Sequence, residues 1–163
     1  MGTIDKHLYV EESVPRVTAR GDTIDTLLSA SIFAGIAREE IVAILSEFDD
    51  VRFDTGHRVT LQGLRGSDFY LIAAGRAAVS VDGEVVATLS RGDFFGEVGV
   101  LSDGVRSATV QALTPLHCLV LPHRGLEALL MRHPRLAVNL LQELVARFRT
   151  VSTAHHDRGA NSS

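Results

Sequence analysis

Of the sixteen basic residues in this 163-residue chain, only one, Lys6, is a lysine. No lysine therefore follows a glycine-rich stretch, which excludes a triphosphate-binding loop of the G-x-x-x-x-G-K-[ST] type, and Schiff-base chemistry is left with nothing but the N-terminal segment. The single cysteine, Cys118, can form neither an internal disulfide nor a cysteine metal cage. Sixteen basic against twenty acidic residues give a formal charge of −4, which removes any general attraction to nucleic acid or to an anionic membrane. No apolar run approaches the roughly 20 residues that span a bilayer, and the opening MGTIDKHLYVEES lacks the apolar stretch of a signal peptide. The histidines His7, His57, His117, His123, His133, His155 and His156 show neither H-x-H nor H-E-x-x-H spacing, so no metal centre is expected. No G-x-S-x-G elbow is present to support a hydrolase. Together these absences predict one cytoplasmic domain without catalytic machinery, without contact to DNA and without a membrane segment.

What is present is enough apolar material for a core, 45% of residues, arranged with two different periods. Residues 1–24 are polar, carry Pro15 and Gly21, and read as a flexible arm. Leu27, Leu28, Ile32, Ile36, Ile41, Ile44, Leu45 and Phe48 then recur at helical spacing, interrupted by Gly35, which predicts two short helices over about 25–33 and 37–48. After Asp49-Asp50 the apolar residues alternate, as in Val51/Phe53, Val59/Leu61, Phe69/Leu71 and Val79/Val81, with glycine-bearing turns at short intervals. That is strand spacing in a sandwich, barrel or jelly roll. In AAVSVDGEVVATL, Asp82-Gly83 supplies the two positive-φ positions of a type I′ hairpin turn. Strands are expected again at about 106–113 and 116–121, with Cys118 as a small core residue. Beyond Pro122 the period returns to helical: a short helix stops before His133-Pro134, and Pro134 opens a longer one. Its stripe of Ala137, Leu140, Leu141, Leu144, Val145, Phe148 and Val151 suits either core packing or pairing with a second copy. Residues 152–163 read as a disordered tail.

The chemistry concentrates in Arg91 to Val110, RGDFFGEVGVLSDGVRSATV, a stretch too apolar for a solvated loop. Gly96 permits close backbone approach, and a single helical turn from Glu97 would leave free N–H groups facing an anion. Arg106 adds a permanent charge in a planar fork suited to phosphate oxygens, and Ser107 adds a hydroxyl and an N–H beside it. Glu97 only accepts hydrogen bonds and so suits a sugar hydroxyl. Donors for a phosphate next to an acceptor for a ribose describe a nucleotide site. The bland alternative is that Glu97 and Arg106 form a structural ion pair between two loops.

This segment resembles the phosphate-binding cassette of the cyclic nucleotide-binding domain family. The family's pattern is met by Phe95-Gly96-Glu97, by Val100-Leu101 and by Arg106-Ser107-Ala108, and upstream by GHRVTLQGLRGSDFYLIAAGRAAV. The resemblance implies an α+β, mainly β fold: an antiparallel β-roll or jelly roll over residues 25–151, flanked by helices at each end, with the cassette at 95–107 and the C-terminal helices at 123–151. It implies that Arg106 binds the exocyclic phosphate oxygens, Glu97 the ribose 2′-hydroxyl, and Gly96, Ser107 and neighbouring N–H groups of Phe95, Val98 and Ala108 the remainder. It further implies that the last helix closes over the base, bringing Arg147, Val151 and Ser152 near it. Ser107 rather than threonine leans toward cAMP over cGMP. Gly99 departs from the family, where alanine or a larger residue is common. Expected partners are the cyclic nucleotide, a second copy through the C-terminal helix, and an effector protein. Two rivals remain: a docking module of the same fold that binds no ligand, and a cupin-type metalloenzyme, which the missing H-x-H disfavours.

Overall fold

A computed structural model describes residues 20–122 and 125–160; of residues 20, 151 and 153–160 it describes the backbone alone. Most of the expected N-terminal arm, residues 1–19, lies outside the described residues. The described chain opens with helix α1 (Arg20–Leu27), a single 3-10 turn at Ser31–Phe33, and α2 (Arg38–Leu45). Eight strands follow: β1 (Asp49–Phe53), β2 (Arg58–Thr60), β3 (Phe69–Ala74), β4 (Ala77–Val81), β5 (Glu84–Leu89), β6 (Phe94–Phe95), β7 (Thr109–Ala112) and β8 (Leu116–Leu121). The short helix α3 (Glu97–Leu101) falls between β6 and β7, and α4 (Gly125–Arg132) and α5 (Pro134–Ala160) close the fold. This is a mainly antiparallel β-roll with helices at both ends, as the alternating and helical periods predict.

The strands form two four-stranded sheets, ordered β1-β8-β3-β6 and β2-β7-β4-β5. Side chains on a strand alternate faces, and β3 uses both. Tyr70 and Ile72 point into the space between the sheets, together with Phe53, Val59, Phe95, Leu116, Cys118 and Val120. Phe69, Leu71 and Ala73 point the other way, against Ile41, Ile44, Phe48, Leu126, Leu136 and Leu140 of the helices. A strand buried on both faces reads as an unbroken apolar run, which is why FYLIA and LHCLVL are so rich in large residues. Cys118 is fully buried between the sheets, and burial pushes its thiol up, as a core filler requires. At the hairpin Asp82 has φ 53° and Gly83 φ 81°, the type I′ geometry that Asp-Gly predicts.

Four boundaries differ from the sequence reading. Residues 20–24, expected as arm, begin α1, and residues 28–33, expected as helix, make only the 3-10 turn. Arg106 and Ser107, expected as strand, belong to the loop before β7. The tail expected as disordered from 152 continues α5 to Ala160, because no proline interrupts residues 152–160 and Gly159 comes only at the end.

The apolar stripe of α5 divides in two. Leu136 and Leu140 are buried and Leu144 packs partly against the same core, whereas Leu141, Val145 and Phe148 are 59%, 53% and 72% exposed. Core packing thus uses one edge of the stripe and leaves the other bare; the side chain of Val151 lies outside the described residues. The register of α5 on the fold is pinned by a buried polar residue, Asn139, whose amide donates to the carbonyls of Ile32 (2.9 Å) and Ala34 (2.8 Å) at the 3-10 turn. Beside it, His133 bonds Glu40 (2.9 Å) and Arg132 bonds Glu47 (2.6 Å), joining the α4–α5 corner to the N-terminal helices. Asn139→Ala strips two carbonyls of their donor, one of them buried, and should lower the unfolding free energy by about 1–3 kcal/mol in urea denaturation.

Candidate functional site

Arg106 is only 6% exposed, and its position follows from the loops around it. Its main-chain N–H donates to the Leu64 carbonyl and its carbonyl accepts from the Gly63 N–H, each at 2.8 Å, which ties the end of the 95–107 segment to the loop ahead of β3. Its guanidinium then turns inward. Nη1 donates to the Gly96 carbonyl and Nη2 to the Asp68 carbonyl, both at 3.0 Å, and Cζ lies 5.7 Å from the centroid of the Tyr70 ring. Tyr70 is fixed in turn by parallel stacking on Phe95 at 4.6 Å. Gly66 presses from the opposite side: a Cβ there would lie 2.3 Å from Nε. Gly96, at φ 89°, turns the chain into α3 where a Cβ would meet the Asp68 carbonyl at 2.7 Å. Gly99 lies less tightly: a Cβ there would touch Arg106 Nη1 at 3.4 Å. The family departure at Gly99 therefore sits beside the arginine, where a Cβ would make ordinary van der Waals contact.

The guanidinium donates to neutral carbonyls, so a full positive charge stays buried with no carboxylate in contact among the described residues. The ion pair that Glu97 makes is with Arg147 of α5, at 3.8 Å, and not with Arg106, so the structural ion-pair alternative does not describe this site. Arg147 also donates to the Phe94 carbonyl at 2.8 Å and lies over the Phe94 ring, with Cζ 4.1 Å from its centroid. Glu97 is 6% exposed, and its Oε2 has no hydrogen-bond partner. Burial raises its carboxyl above the usual range, opposed by a main-chain hydrogen bond and by Arg147 and Arg106. A buried acceptor without a donor is costly, so its presence calls for a ligand donor such as a hydroxyl. Beyond α3, Asp103 accepts from the Val105 N–H at 3.0 Å, which holds its own carboxyl below the usual range and shapes the exposed turn before Arg106.

These groups line a cavity of about 460 Å³ between the second sheet, α3 and α5. The structure brings Phe95, Gly96, Glu97, Val98, Arg106, Ser107, Ala108 and Arg147 together around it. Ser152 is exposed and does not line it, and the side chain of Val151 lies outside the described residues. Thr60, Val79, Val81, Val86, Leu89, Asp93, Val110, Glu143 and Thr150 also line it, and the sequence reading missed them. Two signals were available: Val79 and Val81 alternate on one strand, and Glu143 and Thr150 stand four before and three after Arg147, on the same helix face. A larger and more open cavity of about 730 Å³ lies against α1, lined by Thr26, Arg76, Arg91 and His117 among others. Chemistry favours the smaller one, since the buried side-chain atom lacking a partner among the described residues is Glu97 Oε2.

A buried cation, an orphaned acceptor and a glycine-entered helical turn in one cavity invite comparison with known proteins. Residues 50–133 match the family described as the cyclic nucleotide-binding domain. The chain belongs to that family. Among its relatives is a cAMP-dependent protein kinase regulatory subunit of Yarrowia lipolytica, 38% identical over 133 residues, which cover 72% of this chain and 35% of the relative. Another is a cGMP-dependent protein kinase of Caenorhabditis briggsae, 37% identical over 98 residues, 56% of this chain and 13% of that one. Among solved structures, the catabolite activator protein of Thermus thermophilus superposes with a TM-score of 0.71 at 30% identity, covering 79% of this chain and 63% of the other. The chain thus spans about a third or less of the two kinase-related relatives. The β-roll described above is that of a cyclic nucleotide-binding domain, a regulatory family.

The buried carboxylate carries a stability consequence. Because folding raises the Glu97 pKa, its ionised form is disfavoured in the folded state, and that loss grows as pH rises through and above the ordinary carboxylate range. Glu97→Gln should leave the ligand-free protein at least as thermostable at pH 7 as the wild type, with the gap closing toward pH 4. Differential scanning calorimetry across that range checks it; a large drop in melting temperature would mean that the Arg147 pair outweighs the burial cost.

Proposed function

We propose that this chain is a sensor that binds cAMP reversibly and performs no chemistry on it. Buried Arg106, with charge but no carboxylate in contact, carries the reading: it is placed to receive an anion at the mouth of the N–H groups that begin α3. Phosphate oxygens would take the remaining guanidinium hydrogens, Ser107 and the N–H groups near Gly96 and Val98. The ribose hydroxyl would supply the donor that Glu97 Oε2 lacks. Support for cAMP over cGMP is Ser107, which follows Arg106 where threonine accompanies cGMP preference in the family. Relatives named for each nucleotide make cGMP the alternative ligand.

Signalling follows from shared residues. Arg147 holds α5 to Glu97 and to Phe94, so a ligand that engages Glu97 changes what anchors the helix. Movement of α4 and α5 about the His133-Pro134 corner would then pass the signal to an effector, in the cytoplasm and without direct DNA contact. In calorimetric titration, Arg106→Ala should weaken cAMP binding by at least about 1.5–3 kcal/mol with the fold intact. Unchanged affinity would sink the site, and a wild-type protein that binds neither nucleotide would favour the docking-module reading instead.

The bare edge of α5 favours a second copy as one partner. Val138, Leu141, Val145 and Phe148 are all exposed at successive spacings of three, four and three, the a/d repeat of a helix pair. Sedimentation should show a dimer that Leu141→Glu with Phe148→Glu converts to monomer; a monomeric wild type at high concentration would refute it.

A further inference from the structure

The larger cavity, of about 730 Å³, shares no lining residue with the one that holds Arg106. Its walls are α1 and three chain reversals of the β-roll: the β3–β4 turn, the β5–β6 turn and the β7–β8 turn. These turns are locked together through the main chain. Gly75, at φ 90°, lies so near the Pro115 carbonyl that a Cβ would fall 2.2 Å from it. The Arg76 N–H donates to Thr114 Oγ1 and its carbonyl accepts from the Leu113 N–H, each at 2.9 Å. On either side of Arg91, the Ser90 N–H donates to Asp93 at 2.9 Å and the Gly92 N–H to the Ile72 carbonyl at 2.8 Å. Two arginines therefore stand on rigid bases at the rim of one cavity, and neither guanidinium makes a hydrogen bond or ion pair among the described residues.

The remaining polar groups of the lining leave the balance positive. His117 is 8% exposed, and its ring is pinned by the 2.6 Å contact of Nε2 with Asp50 Oδ1. The Thr26 and Thr114 hydroxyls already donate, to the Asp22 and Pro115 carbonyls. Asp22 supplies the carboxylate of the lining and pairs with neither arginine. Two fixed cations thus face one anion, on a chain whose net charge is −4. The uncommitted groups are donors: two guanidinium forks and the Ser90 hydroxyl. Forks arriving from separate turns suit an anion that offers oxygens in more than one direction and carries two charges, as a phosphate monoester does. The volume falls in the range of small-molecule sites. We propose that this cavity is a second binding site, which takes a small organic phosphate monoester between Arg76 and Arg91.

The test is calorimetric titration of the full chain with phenyl phosphate at about pH 8, where a monoester is a dianion, at constant ionic strength and with and without cAMP. Wild type is compared with Arg76→Ala plus Arg91→Ala, and with Arg58→Ala plus Arg135→Ala, which removes the same charge from exposed arginines outside the cavity. Melting temperatures confirm that each variant folds. Wild type should bind phenyl phosphate saturably whether or not cAMP is present, the first variant at least about tenfold more weakly, and the second as wild type does. Absence of binding to the wild type overturns the proposal. So does equal affinity in wild type and the Arg76, Arg91 variant, equal weakening in both variants, or displacement by cAMP. None of these outcomes bears on whether cAMP itself binds at Arg106.

Discussion

A guanidinium in the interior cannot shed its proton, so the structure around Arg106 is built to tolerate a fixed charge. It does so with the carbonyls of Gly96 and Asp68, the face of Tyr70 and the bare backbone of Gly66. Each contact constrains a separate segment: the entry to α3, the start of β3, the stacked Tyr70–Phe95 pair and the 63–66 loop. Those segments meet one side chain, while strand pairing and main-chain hydrogen bonds hold them in place. The arrangement satisfies the arginine's geometry and leaves its charge unneutralised. That combination makes the cavity receptive to an anion.

Glu97 and Arg147 extend this logic outward. The carboxylate is buried far enough for desolvation to oppose its charge, and its one cationic contact is a long one at 3.8 Å. It is therefore neither fully paired nor free, and a donor entering the cavity competes directly with the helix that roofs it. Arg147 belongs to both systems, being bonded to the cassette side through Phe94 while riding on α5. Nearer the start of the helix, Asn139 holds α5 to the 3-10 turn.

The β-roll underlies both. Strands β3 and β8 are buried on two faces, one toward the opposite sheet and one toward the helices. The same strands that carry the sandwich core therefore carry α2, α4 and α5, and the position of the roof relative to the cassette is set through a continuous apolar core. Glycines at 66 and 96 mark where guanidinium or backbone approaches too closely for a side chain.

Much of this was legible in the residues. Alternating apolar spacing placed the strands and Asp82-Gly83 placed a hairpin, because these depend on local periods and turn conformations. Helix ends were less legible. The extension of α5 to Ala160 and the replacement of the latter part of the predicted 25–33 helix by a 3-10 turn depend on what each segment packs against. Arg106 and Glu97 looked like candidates for each other's partner, yet the fold gave Arg106 to two carbonyls and Glu97 to an arginine fifty residues further along the chain. The sequence by itself determined the fold class and its membership of the family. Only the tertiary structure decided that Arg147 grips Phe94, that Glu143 faces the cavity and that half of the α5 stripe stays bare. Those outcomes depend on how the helix is rotated against the sheet, and hydrophobic periodicity alone leaves that rotation open when the stripe is wider than the core that receives it.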